Sequence, residues 1–306
     1  MSGARGAPSA GAGAGAGVSQ DFDPRVRRRH RWGLVFASLC LLATMVGIIA
    51  LAVLLVDIVR DGGRRLSLDF LTSYASRLPD RAGIKPALLG SLWVLGFTAL
   101  FSFPVGVATA IWLEEYAPAS RLKQVIQTNI ANLAGVPSIV YGILGLAVFV
   151  RWFAFGRSVL AGALTLTLLI LPVIIIAAQE AIRAVPNSIR LGAYALGATK
   201  SQTIFREVVP IAMPGILTGT ILALSRAVGE TAPLIMVGAA GFVSFTPSGP
   251  LDRFTVLPLQ IFDWVSRPQP EFHALAAAGI IVLLVALLSL NAVAIVLRNR
   301  YEKRKG

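Results

Sequence analysis

The chain has 306 residues, 56% of them apolar and 14% charged, with a formal net charge of +13 and a mean hydropathy of +0.74. Soluble domains carry roughly 25% charged residues, so this composition excludes an ordinary water-soluble globule and makes lipid the expected solvent. The positive charge forms no basic stretch with interleaved aromatics, which excludes the usual nucleic-acid-binding patterns. The single cysteine, Cys40, excludes an internal disulfide and a thiolate metal cluster.

Residues 1–24 begin MSGARGAPSAGAGAGAGVSQDF, mostly Gly, Ala and Ser. With so little to bury they are expected to form a disordered cytoplasmic tail, leaving 25–306 as one membrane domain. A basic cluster, Arg25 to Arg31, precedes an uncharged run over 32–56. That run exceeds the 7–15 residues of a signal-peptide core and no small-residue cleavage site stands clear of it, so an uncleaved first helix is expected. Further uncharged runs cover 86–113, 124–150, 158–179 and 274–297. About 20 helical residues cross a ~30 Å hydrocarbon core, so each run is long enough to span.

Between the first two runs, 60–85 has mixed charge, Pro79 and Gly83 and reads as a structured outside loop. Within 124–150, Pro137, Ser138, Tyr141 and Gly142 either bend the helix and offer hydroxyls to a pathway or serve as close-packing contacts. The short turn 151–157 forces its flanking helices to be antiparallel neighbours. Pro104, Pro172, Pro214 and Pro233 are candidate kinks.

The inside connection, about 179–210, reads as two short helices joined at Gly197. Asn187 or Ser188 is expected to cap the first, whose apolar positions Ile189, Gly192, Ala193 and Leu196 recur with helical spacing. Gly197 suits a left-handed stop, Thr199 with Gln202 makes a capping box, and Pro210 is expected to end the second helix. Periodicity alone leaves two readings, an interfacial hairpin packed on the bilayer or a docking element.

A sixth span is expected at 208–239 although Arg226 and Glu230 interrupt it, because a backbone flanked by apolar sequence in lipid must satisfy itself as helix. The two residues are four apart and share a face. Entry into lipid after Gly215 sets Arg226 about 16 Å deep at 1.5 Å per residue. Ionisable groups there cost at least ~2.5 kcal/mol each and face a bundle interior or a pathway. They form either an ion pair that fixes helix rotation or a subunit contact, or a substrate site. In the second case the planar fork of Arg226 binds phosphate oxygens bidentately, and Glu230 accepts the proton of a protonated phosphate, which sulfate lacks. The last connection, about 240–273, carries Phe245, Phe254, Phe262 and Trp264, aromatics suited to the headgroup region.

Four segments, 132–142 (NLAGVPSIVYG), 195–200 (ALGATK), 226–233 (RAVGETAP) and 257–261 (LPLQI), resemble the PstA-type permease subunits of bacterial phosphate-specific ABC importers. The resemblance runs from about 88 to 303. The spacing of Ala193, Gly197 and Pro210 is similar to the EAA loop of ABC import permeases, the coupling helix that sits in a cleft of the ATP-binding subunit. Leu191 and Gly192 stand where that motif has its glutamate and first alanine, so the charged component is missing or moved to Arg190. The resemblance implies an all-α type I ABC importer permease fold with six transmembrane helices. It implies ATPase coupling through Arg190, Ala193, Leu196, Gly197, Thr199 and Lys200 and a transport role for Arg226; with Glu230, Ser138 and Tyr141, Arg226 is expected to line a substrate pathway. The implied partners are a PstC-type permease in a heterodimer, two PstB-type ATPase subunits and a PstS-type phosphate-binding protein, which the 240–273 loop helps to dock.

No Gly-x-x-x-x-Gly-Lys-Ser/Thr loop occurs in the chain, so ATP is expected to be used by a partner and no cofactor is expected here. No His, Asp or Glu cluster has catalytic or metal-ligand spacing, which argues for a non-catalytic subunit. With the amino terminus inside, 17 basic residues fall on the inside segments and 10 on the outside loops, so both termini are expected to be cytoplasmic in a multi-pass plasma-membrane protein. The expected function is import of inorganic phosphate by alternating access. Two alternatives stay open: the same architecture importing sulfate, molybdate or an amino acid, and an ion-gradient-driven carrier, whose inverted repeats are not evident.

Overall fold

The computed structural model describes residues 24–239 and 241–303, so the expected tail at 1–24 lies, Pro24 apart, outside the described residues. The described residues are mainly helical, with no strand among them, and the chain divides into two compact units, Met1–Leu55 and Val56–Gly306. The first unit holds most of helix α1 (Pro24–Gly63), and its residues 35–55 are exposed and almost wholly apolar. Such a helix is stable where its surroundings are lipid or protein, because its backbone groups are satisfied internally and its side chains need no water.

The second unit contains α2 (Leu68–Thr72) and α3 (Lys85–Ile111), which a π-helical turn, Trp112–Tyr116, prolongs. Then come α4 (Arg121–Ala134) and α5 (Ser138–Gly145), the latter prolonged by a π-helical stretch, Leu146–Trp152. They are followed by α6 (Val159–Arg183), α7 (Asn187–Ala195) and α8 (Lys200–Thr203). A π-helical turn, Ile204–Val208, leads into α9 (Val209–Gly229), and α10 (Ala232–Val237), α11 (Leu257–Val265) and α12 (Pro270–Lys303) complete the chain. Among the described residues, five helical stretches are long and apolar enough to cross a membrane, and a sixth is counted if α4 and α5 form one bent span.

Helix α6 is the centre of the bundle, and four sets of contacts fix the direction of its neighbours. Helix α3 runs parallel to it, since Thr98 Oγ1 donates to Ala163 O at 3.2 Å and Gly106 abuts Ile174. Helix α9 runs antiparallel: a Cβ at Gly215 would lie 2.8 Å from that of Ala181, and one at Gly219 would lie 2.3 Å from that of Ala177. Small residues four apart on both helices allow this close approach, the usual device for packing helices where no hydrophobic force drives them together. Helix α12 is antiparallel to α9 through Ser225–Asn291 and Thr218–Arg298 hydrogen bonds. Helix α5 is antiparallel to α6, with Gly145 against Thr165. The α7–α8 hairpin therefore shares one end of the bundle with the ends of α3 and α12, here the hairpin end. The starts of α3, α6 and α12, with α2 and α11, form the loop end.

Several sequence expectations are corrected. The run 124–150 is not one straight span, because α4 and α5 meet at 103° around Gly135–Pro137. Pro137 disfavours helical geometry at the residue before it, and α4 carries Lys123, Gln124, Gln127 and Asn129, polar groups an unbroken span would have to hide. Pro210 does not end the second hairpin helix: Lys200–Gly229 is one stretch, and the π-helical turn at 204–208 absorbs the missing proline N–H. The span expected at 208–239 stops at Gly229, since Pro233 cannot donate to the Gly229 carbonyl four residues back. Asn187 and Ser188 do not cap α7, whose N-cap is Pro186 with no side-chain hydrogen bond. Finally, Phe254 and Trp264 are buried rather than interfacial: Phe254, ahead of α11, packs against Gly162 of α6 and Leu234, while α11 folds back into the loop end and turns Leu259, Ile261 and Trp264 inward. Phe245 and Phe262 remain exposed as expected.

Candidate functional site

Arg226 lies in the last turn of α9, and Ala223 and Ala227 on the neighbouring face pack into the core with Leu166 and Ile170. Two turns beyond the Gly219–Ala177 contact, the antiparallel register sets Arg226 level with Ile170, eleven residues into α6 and thirteen from its end. At 1.5 Å per residue these are about 16 and about 20 Å, so the guanidinium is at mid-depth of the central helix. The exposed residues of α9, Ile211, Gly215, Leu222, Arg226 and Gly229, form one helical stripe. Arg226 is its only charge, with a side chain 54% exposed.

Glu230 is 18% exposed and its Oε1 lies 3.4 Å from Arg226 Nε, so the expected contact is present. The pair does not share one helix, however. Glu230 is the C-cap of α9 with extended backbone (φ −77°, ψ 112°), in the break before α10. A long, half-exposed ion pair is weak, so the carboxylate compensates the arginine charge without locking it. A second break lies at the same depth. Gly145 against Thr165 sets Ser138, the first residue of α5, level with Pro172 of α6, and Ser138 is half-buried there. The two broken segments touch, since a Cβ on Gly142 would lie 2.7 Å from Pro233 Cα, so α5 and α10 pack backbone to backbone. Tyr141 belongs to the core instead. It is 5% exposed and its hydroxyl donates to Leu133 O at 2.8 Å, pinning the α4–α5 corner.

At the hairpin end the local signals read from sequence are realised. Gly197 adopts φ +82° between α7 and α8. Thr199 N donates to Gln202 Oε1 at 2.9 Å, and Gln202 N donates to Thr199 Oγ1 at 3.3 Å, closing the capping box. The hairpin turns an apolar tip outward: Leu191 and Tyr194 are exposed and Leu196 is 91% exposed. Ala193 is half-buried, Gly197 and Thr199 are exposed, and the Lys200 ammonium lies 5.2 Å from the centre of the Tyr116 ring. Arg190 points away from the tip, into the bundle, where it meets Glu115. Glu114, Glu115 and Gln179 were not singled out from the sequence. The signal that marks them is a pair of consecutive carboxylates closing the apolar run 86–113.

A family model for binding-protein-dependent transport system inner membrane components matches residues 102–305. The probable ABC transporter permease protein YqgI of Bacillus subtilis is 34% identical over 249 residues, 78% of this chain and 85% of that protein. The phosphate transport system permease protein PstA 1 of Mycobacterium tuberculosis is 33% identical over 292 residues, 93% of each chain. Among solved structures, a bacterial alginate ABC transporter in complex with an alginate-bound periplasmic protein aligns with a TM-score of 0.63 at 15% identity, covering 88% of this chain and 96% of that one, a likeness of fold alone. The chain belongs to the family of binding-protein-dependent transport system inner membrane components, and within it is similar to the PstA permeases.

Proposed function

We propose that this chain is the permease subunit through which an ABC importer moves inorganic phosphate across the plasma membrane, with ATP hydrolysed by a separate subunit. The observation that carries the reading is the placement of Arg226, a single guanidinium at mid-depth on the exposed stripe of α9, compensated by a carboxylate in a helix break. A charge at that depth is retained where it faces a partner or a pathway. In the empty site Glu230 offsets Arg226 across 3.4 Å. An entering hydrogen phosphate offers two oxygens to the guanidinium fork and its proton to the carboxylate, whereas sulfate brings no proton and leaves Glu230 repelling it. The name of the M. tuberculosis relative supports phosphate as the substrate.

The stripe Ile211, Gly215, Leu222, Arg226 and Gly229 is the face on which a second, PstC-type permease closes the pathway. Ser138, at the same depth on α5, extends it. The hairpin tip, Leu191, Tyr194 and Leu196, seats on a PstB-type ATPase, and the loop end receives a PstS-type binding protein. The hairpin end is then cytoplasmic with both termini, in line with the excess of basic residues on those segments. In this reading the chain performs no chemistry itself and binds no cofactor.

The test is the complete complex in proteoliposomes with its binding protein, assayed for ATP hydrolysis and solute uptake with phosphate and with sulfate. Phosphate is expected to stimulate both at least tenfold more than sulfate. Equal uptake of the two anions would contradict the phosphate reading, and hydrolysis that never responds to the binding protein would contradict the importer reading.

A further inference from the structure

The hairpin is continuous with α6 and α9 but has no covalent link to α3. The end of α3 nevertheless meets both arms of the hairpin. Its π-helical turn, Trp112–Tyr116, directs Glu115 at α7, and Tyr116 receives Lys200 of α8 over its ring at 5.2 Å. Arg190 Nη2 and Nε donate to Glu115 Oε1 at 2.6 and 3.1 Å. The same guanidinium donates through Nη1 to Val185 O at 2.8 Å and through Nη2 to Ile182 O at 3.1 Å, carbonyls at and just past the end of α6. Glu115 and Arg190 are only 9% and 17% exposed. One residue away, Glu114 accepts from Gln179 Nε2 at 2.9 Å and Arg183 Nη2 at 2.7 Å, which fastens the same turn to α6.

We infer that Glu115–Arg190 is a transmission pin, an ion pair that makes α3 move with the hairpin when the hairpin is displaced from outside. The inference rests on the importer reading above and assigns Arg190 an internal role: it is a positioning residue, and the surface offered to the ATPase is the apolar tip beside it. Charge-assisted, half-buried and reaching from α7 to the ends of both α3 and α6, the guanidinium resists shear between them. Without the pin the hairpin stays attached through α6 and α9 but can tilt against α3, so a push from the ATPase is partly lost as local motion. Binding and hydrolysis of ATP proceed, while less of the displacement reaches the part of the bundle that α3 supports.

The experiment uses the complete complex in proteoliposomes, with inorganic phosphate as the probe, and measures phosphate uptake per ATP hydrolysed. Glu115→Gln is expected to keep binding-protein-stimulated hydrolysis within about twofold while uptake per ATP falls by about fivefold or more, the lower edge of typical coupling effects. Arg183→Gln, which breaks the contacts of Glu114 and Glu180 but touches no residue of the hairpin, is expected to leave the ratio unchanged. An unchanged ratio in an assembled Glu115→Gln complex overturns the pin. If that complex does not assemble, Arg190→Lys, which keeps the charge and loses the fork, must lower the ratio in the same way, and an unchanged ratio there overturns it equally. A readout independent of substrate separates this inference from the phosphate reading. A spin label at Leu196→Cys in a Cys40→Ser background is expected to gain mobility on Glu115→Gln, and unchanged mobility overturns the pin even where the wild-type complex imports an anion other than phosphate.

Discussion

The depth of Arg226 depends on how closely α9 is pressed onto α6, and Gly219→Ala tests that contact with one methyl group. The new Cβ would stand 2.3 Å from the Ala177 Cβ, whereas ordinary contact begins at 3.4 Å, so the helices must part locally by about 1.1 Å. Neither atom belongs to a flexible side chain that can swing aside. Overpacking of this kind costs about 1–3 kcal/mol. Alanine returns roughly 1 kcal/mol as the better helix former, so a net loss of about 0–2 kcal/mol is expected. Gly96→Ala, inside α3 with nothing within 4 Å of the added carbon, is expected to gain about 0.5–1 kcal/mol by the same propensity term. Ala177→Gly placed on Gly219→Ala should restore most of the lost packing, a coupling of about 0.5–3 kcal/mol in a double-mutant cycle. Equilibrium unfolding of the detergent-solubilised protein, followed by tryptophan fluorescence and circular dichroism, gives all four values. Equal stability of Gly219→Ala and Gly96→Ala, or no coupling to Ala177, would refute the register on which the depth of Arg226 is based.

Tyr141→Phe removes one donor to Leu133 O, which keeps Val136 N at 3.1 Å, so an expected loss of about 0.5–1.5 kcal/mol is seen as faster amide exchange at 133–141. Asp252 accepts from Ser248 N and Oγ and from Gly249 N, and these bonds, the Ser248 backbone first, hold its carboxyl below the ordinary value of 3.8. A depressed folded value means the stabilisation is complete above pH 3.8 and is lost as pH falls through the folded value. Exchange protection of the Ser248 and Gly249 amides should therefore be flat from pH 7 to about 4 and collapse below it, whereas Asp252→Asn should show no such step. Leu196→Asp, at a fully exposed hairpin position, should leave the unfolding midpoint unchanged and lower co-purification of the ATPase subunit at least tenfold. Full recovery of the ATPase with that variant would remove the tip from the docking surface.

The parts of the fold that were legible in the sequence are those set by signals a few residues long. Charge-free runs marked α1, α3, α6 and α12, and the Gly197 turn and the Thr199–Gln202 capping box were readable because backbone geometry and one hydrogen-bond pair decide them locally. A bend near Pro137 was one of two readings of 124–150, but its size was not legible, since counting charges overlooks the amides of Gln124, Gln127 and Asn129, which make α4 amphipathic without breaking the uncharged run. Pro210 was read as a stop because a proline removes one donor, and only the register of the preceding turn shows that a π-helical step absorbs the loss. Burial of Phe254 against α6, and of Trp264 where α11 meets α3 and α12, rests on contacts that no single window contains. At the candidate site, Arg226 and Glu230 were found by their cost in lipid, while the Glu115–Arg190 bond joins residues 75 positions apart and no local spacing signals it.

The central claim is that Arg226 binds the transported anion. Phosphate uptake and ATP hydrolysis measured separately for Arg226→Lys and Arg226→Met in the reconstituted complex test it most directly. Loss of the bidentate fork removes a charge-assisted hydrogen bond worth about 1.5–3 kcal/mol, so uptake is expected to fall at least tenfold in Arg226→Lys and further in Arg226→Met, with binding-protein-independent hydrolysis retained in both. Normal uptake in both variants would contradict the account.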